Sequence, residues 1–158
     1  MAKAAVKKAN TSDARIVMKL YDLRREAEMR KARNWYSQWE LNSYEDMKQI
    51  AMNWGSQENA WFRQVLTYWE NAASLVLRGA VHPGLFMDWN GEIIFTFVKI
   101  KPFLQQMREF SGNPDAFSNM EKLLHSTPEL RKKTQHLEEQ LKKWNAMRAQ
   151  PAGKSQSN

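Results

Sequence analysis

Apolar residues recur at helical spacing near the N-terminus. The first stripe follows intervals of 4, 3 and 4 residues and consists of Ile16, Leu20, Leu23 and Ala27. This spacing places side chains along one narrow face of a helix. Ser12 or Asp13 can accept hydrogen bonds from the free amides of the first turn, and Trp35 and Trp39 continue the apolar pattern. The pattern predicts one N-terminal helix of about 25 residues.

The middle of the chain carries a second, broader stripe. Its members recur over residues 58–78 and are Trp61, Phe62, Val65, Leu66, Trp69, Ala72, Ala73 and Val76. A face this wide is typical of a helix at the centre of a fold. Ser56 can cap its start, and Gly79 stands where a left-handed residue satisfies the last carbonyl groups. The pattern predicts a long central helix.

Shorter helices are predicted on both sides of the central one. Ser43 with Asp46 resembles a capping box before a short helix, and Pro83 can occupy the first turn of another. The apolar residues of 93–100 would also suit a buried strand. The apolar spacing continues to residue 110 with a period near 3.6, however, and no partner strand is evident. Helix is therefore favoured for residues 92–110, with Pro102 as a kink or break.

The last apolar stripe predicts a C-terminal helix that begins at Thr127-Pro128. Its members follow 4-3-4-3 spacing and are Leu130, Thr134, Leu137, Leu141 and Trp144. A seam of about two heptads is too short to be stable alone in water, so this helix needs a surface to pack against.

Together these patterns predict an all-α fold, a single-domain bundle of five to seven helices with long N-terminal and C-terminal helices. The helical domain is expected over residues 11–148, with disordered ends at 1–10 and 149–158. Six of the seven tryptophans fall between Trp35 and Trp89. Because most of them share helix faces with aliphatic residues, we expect this block to form mainly core.

Four short motifs resemble bacterial helical proteins of the domain-of-unknown-function family 4760. In chain order they are Tyr68-Trp69-Glu70, Leu75-Val76-Leu77-Arg78-Gly79, Phe86-Met87-Asp88-Trp89 and Ile93-Ile94-Phe95. In that family an aromatic-Glu helix ends in Arg-Gly and is followed by a short aromatic-Asp helix and a further aromatic helix. The resemblance covers residues 57–110. It implies a helical fold and carries no catalytic residue with it.

Charge divides the chain into three parts. Residues 1–33 carry ten Lys and Arg against four Asp and Glu, residues 34–121 carry six against ten, and residues 122–158 carry eight against three. The net charge of +7 therefore comes from the two ends. Basic ends are either ordinary solvated charge or a surface for an anionic partner.

Composition and apolar run length exclude several classes of protein. The chain has no cysteine, which rules out a disulfide scaffold and thiol catalysis and fits a cytoplasmic location. No apolar run approaches the roughly 20 residues of a membrane span. The basic residues 1–8 are not followed by an apolar segment, so no signal peptide is expected.

The residues that could carry chemistry do not form a recognisable constellation. The three histidines, His82, His125 and His136, lie in different segments without metal-ligand spacing. Glu70, Asp88 and Glu92 adjoin apolar segments, and Arg63, Arg78 or a helix N-terminus are their expected partners. We therefore expect no catalytic, cofactor or metal site, and structural roles for these acids.

Two functions follow as hypotheses. The first is a non-enzymatic interaction or assembly protein, with self or another protein as partner, that uses the helix seams Ile16, Leu20, Leu23, Leu137, Leu141 and Trp144. Replacing Leu137 and Leu141 with Asp would then lower the mass of the assembly. The alternative is a nucleic-acid-binding accessory protein that contacts phosphates through Arg24, Arg25, Arg30, Lys31 and Arg33.

Overall fold

The structure is a computed structural model that describes residues 8–149. Within this range all regular structure is helical, which confirms the prediction of an all-α protein. The helices are α1 (Thr11–Arg25), α2 (Ala27–Gln38), α3 (Tyr44–Met52), α4 (Gln57–Leu77), α5 (Pro83–Trp89), α6 (Glu92–Ile100), α7 (Leu104–Ser111), α8 (Ser118–Leu124) and α9 (Pro128–Ala149). A short 3-10 helix, Lys101–Phe103, joins α6 to α7. Nine α-helices in the described residues exceed the five to seven predicted.

The predicted single N-terminal helix is two helices. Arg25 ends α1, and Glu26 leaves the helical conformation with φ −54° and ψ 145°. The Glu26 carboxylate then accepts a hydrogen bond from the Met29 amide at 3.0 Å and so caps α2. Glutamate is not among the residues that favour a capping position. The sequence therefore gave no local indication of this break.

The start of α1 also differs from the prediction. Asn10, and not Ser12 or Asp13, is the capping residue, and its side chain accepts hydrogen bonds from the amides of both those residues. Asp13 completes a capping box by accepting from the Asn10 amide at 2.8 Å. Residues 1–7 and 150–158, which include most of the predicted disordered ends, lie outside the described residues.

The helix predicted for residues 92–110 is also split into separate helices. The segment is helical, and the predicted break at Pro102 is confirmed, since Pro102 lies in the 3-10 helix between α6 and α7. Proline lacks the amide proton that an uninterrupted helix would need at this position. Helix α6 is buried along most of its length, whereas Leu104 is the one buried residue of α7.

Helix α4 lies at the centre of the fold, as its broad stripe predicts. Helices α2, α3 and α8 pack against it, and Gly79 after its end has the left-handed φ of 75° that a helix C-terminus uses. Helix α1 packs on α5 and α2, and α9 packs mainly on α6. The largest fully buried side chains come from several helices and include Trp69, Tyr36, Phe86, Phe97 and Met47.

The tryptophan block is core only in part. Trp69 is fully buried. Three others, Trp35, Trp39 and Trp61, pack against the core from partly buried positions. Trp54 and Trp89 are exposed, as is Trp144 outside the block. The exposed three are the ones available to a partner.

Candidate functional site

The predicted interaction seams are mostly occupied by the protein's own core. The packed members are Ile16, Leu20, Leu137 and Leu141. Leu23 and Trp144 remain exposed, each with 46% of its surface accessible. The buried side chains of α1 are Asp13, Val17 and Leu20, so its inner face is rotated from the stripe seen in the sequence. The seam of α1 lies on α5 and α2, whereas that of α9 lies mainly on α6.

Arg33, one of the five predicted anion-binding residues, is a structural residue. Its Nε donates to Glu92 Oε1 at 2.8 Å, and its Nη2 donates to the other oxygen of the same carboxylate. Its Nη1 donates to the carbonyl oxygen of Arg24 at 3.3 Å. This hydrogen bonding to Glu92 raises the pKa of Arg33. Arg33 therefore joins α2 to α6 and to the end of α1.

Arg24 is also engaged within the fold. Its guanidinium lies 5.3 Å from the ring centroid of Tyr21 and 5.9 Å from that of Trp69. It donates to the carbonyl oxygen of Trp89 at 3.2 Å. These contacts hold the end of α1 against α5 and α4.

The remaining basic candidates are exposed: Arg25, Arg30 and Lys31. Lys31 pairs with Glu28 on its own helix at 2.6 Å. Arg25 lies over the ring of Tyr21 at 5.3 Å, and that ring makes an edge contact with Trp89 at 5.7 Å. The packing of α1 on α5 thus brings the exposed ring of Trp89 beside the half-buried ring of Tyr21 and its neighbouring arginines, which are far from Trp89 in sequence.

The acids that attracted attention in the sequence have mainly structural roles, but with other partners than Arg63 or Arg78. Glu70 accepts hydrogen bonds from the amides of Asn119 and Met120, at 2.9 and 3.0 Å, at the start of α8. Phe117, which precedes α8, has a φ of 55° and supplies no side-chain cap. Glu70 therefore caps α8 from a neighbouring helix.

The other two acids lie at opposite ends of the loop between α5 and α6. Glu92 at the start of α6 is the partner of Arg33 described above. Asp88 is exposed and makes no side-chain hydrogen bond with the described residues. His82 caps α5, since its Nδ1 accepts from the Leu85 amide at 3.1 Å.

Asp13 was considered only as a helix cap in the sequence, and its burial and its long-range contact were not predicted. Asp13 is buried, and besides its capping-box bond it accepts a hydrogen bond from the His82 amide at 3.0 Å. It therefore ties the beginning of α1 to the beginning of α5. Its position three residues after Asn10 was the only available signal, and that signal indicates a cap and not a long-range contact.

A cavity of about 770 Å³ lies between α9, α6 and the segment that joins α2 to α3. Its apolar walls are formed by Trp39, Phe95, Val98, Phe103, Leu141 and Trp144. The volume is within the range of about 300–1,000 Å³ that is usual for small-molecule sites. The residues come from three separate parts of the chain, so no sequence motif indicated this cavity.

Lys99 is the most unusual residue on the cavity wall. Its Nζ lies 5.1, 5.6 and 5.7 Å from the ring centroids of Tyr36, Trp39 and Phe95. It donates a hydrogen bond to the Tyr36 carbonyl oxygen at 2.5 Å. Burial lowers the pKa of Lys99 to about 8, and the nearby Arg148 adds to this effect. The signal in the sequence was a single lysine within the apolar run of residues 93–100.

The charged residues around the cavity include more cations than anions. Glu138 pairs with Lys101 at 2.7 Å and lies 3.6 Å from Lys142, and the bond to Lys101 lowers the pKa of Glu138. Arg148 and Lys99 form no ion pair with the described residues, while Glu40 is an unpaired acid on the same wall. The cavity therefore has more positive than negative charge.

The C-terminal half of α9 lines one side of the cavity and has no buried residue. Every residue from 142 to 149 is exposed. Two of them are large apolar residues, Trp144 and Met147, the latter with 67% of its surface accessible. This segment is a second candidate for contact with a partner.

The described residues contain no group of three or more histidine, aspartate and glutamate side chains that could hold a metal ion. None of the helices within residues 8–149 combines the length and the apolar character needed to cross a membrane.

Comparison with known proteins gives one finding. No curated protein and no solved structure matches the chain. The sequence model of one family matches residues 10–126, which include α1 to α8 and end just before α9. This match confirms the resemblance seen over residues 57–110 and extends it in both directions. The chain belongs to the family described as Domain of unknown function (DUF4760).

Proposed function

We propose that this protein is a non-enzymatic assembly protein that associates with other copies of itself through the C-terminal half of α9. The observation that carries the proposal is the exposure of Trp144 and Met147 on a helix whose first half is packed. At 1.5 Å per residue the 22 residues of α9 extend about 33 Å. Packing against the core is confined to the part that ends at Leu141.

The exposed residues are of the kinds that protein interfaces use. Trp144 and Met147 are three residues apart and so neighbours on the helix surface. Tryptophan, methionine and arginine are enriched in interfaces, and tryptophan and arginine often contribute most of the binding energy. This end of α9 presents all three, because Arg148 follows Met147 directly.

Charge indicates which surface the end of α9 would contact. It carries Lys142, Lys143 and Arg148, and there is no acid between residues 142 and 149. Two such ends would repel each other if paired. The favoured contact is therefore between α9 of one copy and a more acidic, apolar surface of another.

The turn that joins α3 to α4 is apolar and has acids beside it, although Lys48 pairs with Glu45 at 3.8 Å and Arg63 lies over the Trp54 ring at 5.2 Å. Met52 and Trp54 are exposed there, and Glu45 and Glu58 are exposed on the adjoining helices. A contact between two different surfaces is heterologous, so it builds rings or open chains instead of closed dimers.

We propose further that the chain is a single-domain bundle in the cytoplasm. The support for a single domain is that buried apolar residues from α1 to α8 belong to one core cluster. The absence of cysteine fits a reducing compartment.

Light scattering over a series of protein concentrations tests the assembly. We expect the mass of the wild type to exceed the 18.6 kDa of one chain and to rise with concentration. The double variant Trp144→Ser/Met147→Ser should return to the mass of one chain. Phe110→Ser, which removes an exposed aromatic from α7, is the matched control and should behave as the wild type.

These exposed positions replace Leu137 and Leu141 as test sites, because Asp at those two would also disturb packing against the core. A wild type that stays monomeric at every concentration would contradict the proposal. So would a double variant that assembles as the wild type does.

Binding to single-stranded nucleic acid is a second candidate function, and the cluster of Tyr21, Trp89, Arg24 and Arg25 favours it. Bases stack on exposed aromatic rings, and neighbouring cations contact the phosphates. Trp89 is 45% exposed and lies beside Tyr21, with Arg25 over the ring of Tyr21. Asp22 and Asp88 are exposed nearby in sequence and weaken the positive field.

A labelled oligonucleotide titrated at several salt concentrations tests this candidate. Binding should weaken as salt rises, and Arg25→Gln/Arg30→Gln should reduce the slope of log K against log salt by about 1–2. Arg131→Gln/Lys132→Gln, which removes the same charge from α9, is the control. Equal effects of the two variants would show that only net charge matters and would remove the cluster from consideration.

A further inference from the structure

The cavity beside α9 combines apolar side chains with a half-buried cation, Lys99, that three aromatic rings surround. The three rings nearest Lys99 Nζ belong to Tyr36, Trp39 and Phe95, and the opposite wall is formed by Leu141 and Trp144 of α9. Eight of the 17 lining residues are polar or charged, and in small-molecule sites the apolar surface provides most of the contact while polar groups set the orientation. The cavity is therefore shaped for a ligand with an apolar body and one polar end.

The N–H donors of Lys99 do not all have hydrogen-bond partners among the described residues. A lysine ammonium has three N–H donors, and among the described residues Nζ donates only to the Tyr36 carbonyl oxygen. The rings around it stabilise a cation, but they cannot neutralise it. Burying a charge without an ion-pair partner is unfavourable, and an anionic ligand would remove that cost.

The other charges on the cavity wall favour an anion as well. Glu138 is already paired with Lys101 and approached by Lys142. Arg148 adds a second cation near Lys99, whereas Glu40 is the one acid of the wall without an ion pair in the described structure. The guanidinium of Arg148 has the planar fork that matches a carboxylate.

We propose that this cavity binds a small amphiphilic carboxylate, with its apolar body between α6 and α9 and its carboxylate at Lys99 Nζ. All of the lining residues belong to one molecule, so the site does not need a second copy, although Trp144 and Arg148 also lie on the surface proposed for assembly. A protein that stays monomeric in light scattering can still be tested for this ligand.

Isothermal titration calorimetry with octanoate and octanamide tests the site at pH 7. The two probes share their apolar body and differ in charge. The wild type should bind octanoate at least tenfold more tightly than octanamide. Lys99→Met should reduce that ratio to near one while it leaves octanamide binding unchanged. Lys122→Met, at an exposed position on α8, is the matched control and should keep the wild-type ratio.

The wild type alone offers a second test if Lys99→Met does not fold. Octanoate stays ionised above pH 7, so its affinity should fall between pH 7 and pH 9.5 as Lys99 loses its proton, while octanamide affinity stays constant. The other charged or titratable groups that face Lys99 or line the same cavity are Tyr36, Glu40, Lys101, Glu138, Lys142 and Arg148. Burial raises the pKa of Tyr36 far above this range.

Three results would overturn the inference. The first is no measurable octanoate binding by the wild type. The second is an octanoate preference that survives in a folded Lys99→Met variant. The third is an octanoate affinity that does not change between pH 7 and pH 9.5.

Discussion

Helices α4 and α9 have nearly the same length, 21 and 22 residues, but differ in how completely they are packed. Helix α4 is covered by α2, α3 and α8, and eight of its residues are buried. Helix α9 buries two, leaves a cavity beside its second half, and exposes Trp144 at its end. The family match ends before α9. The part of the chain that the family model matches is therefore the well-packed part. The cavity and the exposed end of α9 both involve the helix that follows the matched residues.

The charged and amide side chains around α4 support this contrast, although the buried indole N–H groups of Trp61 and Trp69 have no hydrogen-bond partner in the described residues. Glu70 caps α8, and Asn59 donates from its side chain to the carbonyl oxygens of Ile50 and Ala51 at 3.0 and 2.9 Å. Buried polar groups with partners make the packing around them specific. Along the cavity, in contrast, Lys99 and Arg148 have no ion pair in the described structure. Unsatisfied charge is what a ligand or partner can use.

The largest effect is expected from removing the central ring of the α4 region. Trp69→Ala should lower the free energy of unfolding by about 3–5 kcal/mol, because it leaves a cavity in a closed core. Trp144→Ala, which removes the same ring from α9, should change it by no more than about 0.5 kcal/mol. Urea denaturation of the two variants measures both. Similar losses would mean that the two helices are not packed differently.

A smaller effect is expected at the contact between α2 and α6. Arg33→Met should cost about 1–3 kcal/mol, because it leaves the partly buried Glu92 carboxylate without its partner. The double variant Arg33→Met/Glu92→Met should recover part of the loss. Lys31→Met, which removes the exposed pair with Glu28, should leave the denaturation midpoint unchanged. A double variant less stable than the sum of the single changes would contradict this role for the pair.

The smallest effect concerns Lys99 and appears in the pH dependence of stability. Its pKa is about 8 in the folded protein and near 10.4 in an unfolded chain, so between these values the unfolded state binds more protons. The free energy of unfolding should therefore rise with pH from 8 to 10, by on the order of 1–2 kcal/mol. Below pH 7 the contribution of Lys99 to it should not change with pH. Urea denaturation of the wild type and of Lys99→Met at each pH measures this contribution as the difference between their free energies of unfolding. A constant difference across this range would contradict the burial of the charge.

Capping residues, prolines and glycines next to a helix predicted its ends where those residues set them. Ser56 and Gly79 bounded α4 to within a residue, and Thr127-Pro128 located the start of α9. The break at Glu26 was not predictable, because the capping residue is of an unfavoured type and the apolar spacing continues across it. The rotation of α1 that buries Val17 and leaves Leu23 exposed was also missed, because α5 and α2 decide which side of α1 is covered.

The candidate sites were less predictable than the fold. Trp144 was predicted as a contact residue from its place in the last seam, and it is exposed. Arg24 and Arg33 were predicted to meet an anion, but the partner of Arg33 is Glu92, 59 residues further along the chain. Lys99 was visible only as one charge in an apolar run. Its surroundings could not be predicted from the sequence because they come from α2, α6 and α9.

The sequence by itself determined that the chain is helical, that α4 is central and that charge lies at the two ends. These properties depend on spacing and composition, which act over a few residues. Only the tertiary structure decided which charges are neutralised and which apolar residues stay exposed. Those outcomes depend on contacts between residues far apart in the chain, and such contacts leave no periodic pattern in the sequence.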